Sequence, residues 1–167
     1  LQIGRGSAAA VCGRLLVDVS APETCIDPGA GTMLLDYLNH GKAVAEDAAE
    51  RRKGLAEAHL IVREGQPKDW MTSPYDTAGL RRANASAILV TISPYGETGP
   101  QANAPATDLT LFFASGISRL LTGQVDDLAE APIRPVGEQS AFIGGLAAAC
   151  AGMHASLGNQ PGASIDV

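Results

Sequence analysis

Apolar positions recur along the chain in two rhythms. From residue 7 to about 19 they come at helical spacing, with Val11, Leu15, Leu16 and Val19 on one side and Ser7 placed to cap the first turn. Apolar runs at 24–27, 43–45, 59–62 and 87–93 read as strands; the last is nearly continuous and suits a sheet covered on both faces. Between them the pattern predicts helices over 32–38, 47–58 and 75–83, the middle one with Glu50, Arg51, Arg52, Lys53 and Glu57 on a solvated face. Residues 1–3 look like the end of a strand and 164–167 like a further one. After the turn-rich stretch 93–105 two long helices are expected, over 106–121 and 139–157. An acidic, proline-containing loop with Asp126, Asp127, Glu130, Pro132 and Pro135 joins them. Gly144, Gly145 and Gly152, interspersed with alanines, would let another backbone approach the second of these helices closely.

Strands separated by helical segments imply an α/β fold: a Rossmann-like parallel sheet with flanking helices and right-handed crossovers. At 167 residues the chain fits one domain, residues 1–167. Because it starts and stops in strand-like segments, it is expected to be part of a longer protein, truncated at both ends.

Hydrophobic residues at 46% and charged residues at 18% are ordinary for a globular protein. No apolar run approaches the length of a bilayer span, and no basic n-region marks a signal peptide, so no membrane partner is expected. The net charge of −6 argues against nucleic acid, whose binding needs basic surface. Cys12, Cys25 and Cys150 are scattered, without a C-x-x-C pair. They read as reduced thiols packed in the core of a cytoplasmic protein, with no metal site. His40, His59 and His154 lie in different elements without a local partner motif.

Two loops are candidates for binding. Gly4-x-Gly6-x-x-Ala9, with Arg5 and Ser7 in the same turn, fits the looser dinucleotide fingerprint, in which glycines bring a helix N-terminus to a pyrophosphate. Asp27, ending the next strand, stands where a ribose-binding acid would. The same small-residue turn is needed by any doubly wound domain, so dinucleotide binding and plain architecture both remain open here. The second loop, Ser93-Pro94-Tyr95-Gly96-Glu97-Thr98-Gly99-Pro100, follows the strongest strand, where ligands of open α/β sheets bind. Tyr95, Asp108 and Glu138 are further polar residues near such loops.

The run from Ile88 through Ser93-Pro-Tyr-Gly96-Glu-Thr-Gly-Pro100, then Ala106-Thr-Asp-Leu-Thr110, Ala114-Ser-Gly116 and Leu121-Thr-Gly123, resembles CoA-transferase family III, the carnitine dehydratase and bile-acid-inducible F group. Leu38-Asn-His-Gly-Lys42, Ala58-His-Leu-Ile-Val62 and Gly158-Asn-Gln-Pro-Gly-Ala-Ser-Ile-Asp-Val167 resemble other segments of that family. The resemblance implies a handler of acyl-CoA thioesters that transfers CoA between carboxylic acids. CoA would be a substrate, held near Gly4, Arg5, Gly6, Ser7, Asp27, Ser93, Tyr95 and Gly96. It also implies a longer parent chain and a dimer, or a partner CoA-transferase subunit or domain.

In that family an aspartate at the start of the Gly/Ala-rich helix attacks the thioester, giving an anhydride and then an aspartyl-CoA thioester. Aligned on Gly137–Leu146, this chain has Ala141 at the nucleophile position, and a methyl group cannot be acylated. Glu138 is the nearby carboxylate that could substitute. The family's Asn-Phe-Arg-Pro loop reads Glu64-Gly65-Gln66-Pro67 here, an acid that would repel phosphate. A histidine used by related racemases aligns with Thr107. The expectation is therefore an enzyme-family domain that is itself inactive, with an inactive half of a tandem or heteromeric enzyme as the alternative and a dinucleotide-binding domain as a lesser one.

Overall fold

The structure is a computed structural model that describes residues 1–29, 31–122, 127, 129 and 135–167, with the backbone alone at 121 and 122. Of the acidic loop, Asp126, Glu130 and Pro132 lie outside the described residues, as does Gly123.

Six strands form one parallel sheet: β1 (Gln2–Ile3), β2 (Thr24–Ile26), β3 (Ala43–Val44), β4 (Leu60–Glu64), β5 (Ile88–Ile92) and β6 (Ser164–Asp166), in the order β3-β2-β1-β4-β5-β6. The chain builds outward from β1 to one edge, then returns to the middle at β4 and builds to the other. Gln2 pairs with Cys25 on one side and Val62 on the other, so the reversal falls between β1 and β4. All five residues of β5 are buried, and the strand is flanked on both sides, one place in from the β6 edge.

Period-two alternation divides the core between the two faces. On one face Val62, Ile88, Val90 and Ile92 pack with Ala8, Ala9, Cys12 and Leu16 of α1 (Ser7–Asp18) and Ala148, Ala149 and Ala155 of α8 (Gln139–Leu157). On the other, Ile61, Leu89, Ile3 and Ile26 pack with Leu55 of α3 (Ala48–Glu57) and Leu80 of α5 (Thr77–Ala83). Helices α1 and α8 touch through small residues: a Cβ on Gly145 would stand 2.5 Å from the Ala8 carbonyl oxygen and 2.7 Å from Val11 Cβ. Beside them, α2 (Met33–Asn39) is tied in by Lys42. Its buried ammonium donates to Gln2 Oε1 at 2.7 Å, to the Ala10 carbonyl at 2.9 Å and to Asn39 Oδ1 at 3.2 Å.

Several boundaries differ from the sequence expectation, each for a local reason. The helix expected over 106–121 is two: α6 (Asp108–Ala114) and α7 (Ile117–Thr122). Gly116, at φ +77°, ends the first in a left-handed turn. Thr107 caps α6 by accepting from the Thr110 amide at 3.2 Å, so Ala106 and Thr107 stay outside it. Strand β4 runs two residues past Val62, because both charged residues that follow find partners within the fold. A short helix, α4 (Pro67–Trp70), was not expected; proline at its first position and Asp69 bonding back to the Gln66 amide at 2.9 Å mark it. Val19 caps α1 and is exposed rather than buried, and Cys150 is exposed rather than a core thiol. Cys12 and Cys25 are buried, and burial pushes their thiols up to about 12 and about 11. Helix α8, with 19 residues, is also long and apolar enough by length and composition to cross a bilayer, contrary to expectation. Here one side of it is packed on α1 and β5.

Candidate functional site

The carboxyl ends of β1, β4, β5 and β6 open on a cavity of about 840 Å³, at the point where the strand order reverses. In open α/β sheets that crevice is where ligands bind. One wall is the first turn of α1 (Ser7, Ala8). The floor is Glu64, Ile92, Ser93 and Val167, and the far wall is α6 with the start of α8.

Glu64 occupies the centre of this arrangement. Arg63 and Glu64 alternate across the sheet. Arg63 turns toward the α3–α5 side, where its guanidinium donates to both Glu97 carboxylate oxygens at 2.7 and 2.8 Å and to the Tyr75 carbonyl at 2.9 Å, over the Trp70 ring. Glu64 turns to the α1 side, and its Oε2 accepts from the Ala9 amide at 2.6 Å. The carboxylate lies so close to the helix that a Cβ on Gly6 would be 2.0 Å from it. Gly4, at φ +114°, needs glycine on two counts: the backbone conformation, and a Glu64 carbonyl oxygen 2.8 Å from where a Cβ would stand. Burial pushes the Glu64 carboxyl up to about 7; the Ala9 and Ala8 amides oppose that rise, and Glu138 adds to it.

The start of α8 is held from outside the helix. Asp108 of α6 accepts from the Ser140 amide at 2.8 Å and from its hydroxyl. Glu138, the cap residue of α8, makes no side-chain capping bond, leaving its carboxylate at the cavity wall. Ala141, on the first turn of α8, lines the cavity and packs against the cluster containing Ala8 and Ile92. The loop after β5 is braced by Arg63–Glu97 and by Asp166, whose Oδ2 accepts from the Glu97 amide at 2.8 Å. Ser93, at the carboxyl end of β5, lines the cavity, while its Oγ is buried and has no hydrogen-bond partner.

Of the residues singled out in the sequence, Ser7, Ser93, Tyr95, Thr107, Asp108, Glu138 and Ala141 meet at the cavity. Gly4 and Gly6 shape the turn beneath it without lining it. Arg5 is exposed, and Gly96 is held beside Asp166. Asp27 stands apart, accepting from Arg51 Nη2 at 3.0 Å. The sequence reading placed Glu64 in a loop and missed its contact with α1. An acid ending a strand opposite a Gly-x-Gly turn was the available signal.

The polar lining comprises the hydroxyl-bearing Ser7, Ser93, Tyr95, Thr107, Ser115 and Ser140, the amide of Gln66, and the carboxyl-bearing Glu64, Asp69, Asp108 and Glu138. No Lys, Arg or His is among the described residues that line the cavity. No cluster of metal-ligating side chains occurs among the described residues.

Comparison with known proteins agrees with this architecture. The fold matches the hypothetical protein Rv3272 from Mycobacterium tuberculosis with TM-score 0.77 at 18% identity, over 100% of this chain and 53% of that one. It matches a CAIB/BAIF family protein from Brucella suis with TM-score 0.76 at 17% identity, over 100% of this chain and 51% of that one. The chain thus spans about half the length of the solved structures it resembles. Among curated proteins none matches it. The family model for CoA-transferase family III matches residues 44–167, from β3 through the cavity walls to the last strand, and the chain belongs to that family.

Proposed function

We propose that this domain binds acyl-CoA thioesters in the cavity beyond β4 and β5 and, by itself, does not transfer CoA. The family supplies the ligand class. The observation that carries the reading is that Ala141, the residue which the resemblance over Gly137–Leu146 sets against the family's nucleophile, lines this cavity with only a methyl group. Covalent transfer needs a carboxylate that becomes acylated, and none stands at this position. Ser7, Tyr95 and Thr107 complete the polar wall, while Gly4, Gly6 and the Ser93–Gly96 turn shape it. A partner subunit or further domain that supplies a carboxylate would be required for turnover.

Calorimetry with CoA and with NAD tests the ligand class. Binding of CoA without NAD is expected; NAD binding without CoA would restore the dinucleotide reading. Incubation with acyl-CoA and hydroxylamine, followed by peptide mass analysis, tests inactivity. A second reading is favoured by one observation: Glu138 lines the same cavity with no capping bond. A covalent adduct at Glu138 would make the chain a working enzyme.

A further inference from the structure

We infer that Ser140 and Asp108 form a reactive pair at the cavity, through which the domain hydrolyses acyl thioesters with Ser140 as the nucleophile. The inference rests on the acyl-CoA reading for the identity of the substrate; the pair itself is a feature of α6 and α8. The methyl group at Ala141 bars exchange of CoA between acids by way of that position. Hydrolysis needs a nucleophile, a proton acceptor and water, and does not need a carboxylate as the nucleophile.

Ser140 stands in the first turn of α8, one residue before Ala141, and lines the cavity. Its hydroxyl donates to Asp108 Oδ1, and Asp108 lines the same cavity from the first turn of α6. The Ser140 amide donates to that same oxygen at 2.8 Å, and this bond alone suffices as a cap for α8. The hydroxyl bond is additional. It couples an alcohol to a carboxylate as a nucleophile is coupled to its base. No His is among the described residues that line the cavity, so the proton of Ser140 has Asp108 as its acceptor. Both residues are half-buried and open to a ligand. Leu111 and Ile143, each three positions further along the same two helices, also line the cavity and give an acyl chain an apolar wall. Glu138 and Glu64 on the same lining disfavour a second carboxylate on the substrate. The substrate class is therefore a thioester of an uncharged aliphatic acid.

The start of α8 also suits the charge that develops. Its first intrahelical bond runs from the Phe142 amide to the Glu138 carbonyl at 3.0 Å, so the Ala141 amide, next after Ser140, precedes the ladder. An oxyanion formed on a Ser140 adduct lies at the positive end of a 19-residue helix. The chemistry closes in two steps. Ser140 Oγ attacks the thioester carbon; the carbon–oxygen bond forms, the carbon–sulfur bond breaks, and the hydroxyl proton passes to Asp108 and from there to the departing sulfur. Water then attacks the serine ester; its oxygen joins the acyl carbon, the bond to Oγ breaks, and Asp108 carries a proton of the water to Oγ. The products are the carboxylic acid and the CoA thiol, and water is the co-reactant.

The test measures hydrolysis of butyryl-CoA by the chain, by Ser140→Ala and by Asp108→Asn, with p-nitrophenyl butyrate as a second substrate that lacks CoA. Asparagine keeps an acceptor for the Ser140 amide and cannot take the proton, so a purely capping role for Asp108 predicts an unchanged rate. Ser140→Ala is expected to fall to the rate without protein, and Asp108→Asn to fall at least about 100-fold. Calorimetric binding of butyryl-CoA should persist in both variants. Equal hydrolysis by the wild type and either variant, or hydrolysis of neither substrate by the wild type, overturns the proposal. A fluorophosphonate probe on the wild type gives a reading that needs no variant to fold. It should label the peptide containing Ser140; no labelling, or labelling confined to other residues, also overturns the proposal. Hydrolysis of p-nitrophenyl butyrate through Ser140 and Asp108, with neither binding nor hydrolysis of butyryl-CoA, would remove the acyl-CoA reading and leave the pair as nucleophile and base. Binding of butyryl-CoA without hydrolysis of either substrate would do the reverse.

Discussion

The Asp108 carboxylate, on α6, caps α8 by accepting from the backbone amide of Ser140 at 2.8 Å. The residue at the cap position itself, Glu138, makes no such bond, so α8 depends on a side chain 32 positions away for the anchoring of its first turn. Ala141 is the next residue, and the placement of that turn at the cavity follows from this contact. Asp108→Ala removes the acceptor. We expect a loss of about 1 kcal/mol in stability by urea denaturation, the usual scale for a cap. Amide exchange should become faster at the start of α8 and stay unchanged at its end.

Arg63 and Glu97 form a bidentate pair with the guanidinium buried and the carboxylate partly exposed. Glu97→Ala would leave a buried guanidinium held by the Tyr75 carbonyl alone. Breaking such a pair on one side costs about 3 kcal/mol. The double variant Arg63→Met with Glu97→Gln should recover most of that loss, measured by denaturant midpoint. If the single and double variants were equally destabilised, charge burial would not be the cause.

The raised carboxyl of Glu64 makes stability depend on pH in a fixed direction. Its value when folded, about 7, lies above the ordinary 4.5. Below the ordinary value the group is neutral in both states and its favourable contribution is complete. As pH rises through the folded value, that contribution is lost, because the folded chain must then bury an anion. The loss approaches about 3 kcal/mol above pH 7. Denaturation curves should show the wild type more stable near pH 5 than near pH 8, and Glu64→Gln should reduce that difference and be the more stable protein at pH 8.

Gly145→Ala places a methyl group where α1 and α8 are in contact, 2.5 Å from the Ala8 carbonyl oxygen. Alanine favours helix over glycine by about 1 kcal/mol, yet backbone atoms cannot yield as a side chain can. We expect a net destabilisation of about 1 to 3 kcal/mol, as for other overpacked sites. The neighbouring Gly144, whose Cβ would meet only side-chain atoms at 3.8 and 3.9 Å, should tolerate alanine without loss.

Ala141→Asp introduces a carboxylate into the first turn of α8, where the helix dipole favours negative charge by roughly 0.3–1 kcal/mol. Glu138 at the same wall opposes part of that gain. The variant should therefore fold with a midpoint near that of the wild type. If the cavity seats a thioester beside α8, hydroxylamine trapping with acyl-CoA should mark Asp at this position and leave the wild-type peptide unmodified.

The parts of the fold most legible in the sequence were those governed by one rhythm. The bounds of α8, Gln139–Leu157, were read without error, and β5 was recognised from its continuous apolar run. The interrupted elements were harder. A helical pattern extends smoothly over 106–121, and only the left-handed conformation of Gly116 divides it. Strand β4 was cut short because Arg63 and Glu64 look like solvent-facing residues until Glu97 and the Ala9 amide are brought to them from 34 and 55 positions away. The cavity was legible in its loops, through Ser7, Ser93 and Tyr95, and in Ala141. Its centre was not, since the position of Glu64 depends on the pairing of β1 with β4. Asp27 is a different case: its place in the sequence fits a ribose, and in the structure it stands apart from the cavity, paired with Arg51.

The close meeting of α1 and α8 also sets an order of events in time. These helices lie on the order of 130 positions apart in the chain, so their contact closes nearly the whole polypeptide into one loop, a step whose entropy cost is met only late. The sheet pairs built from neighbouring segments, β1 with β2 and β4 with β5, can form before it. Substitutions at Gly145 should therefore act mainly on the rate at which the domain opens and little on the rate at which it first assembles. Held at a given equilibrium stability, a chain weakened at this seam would lose its cavity wall more often per hour than one weakened within β4 and β5.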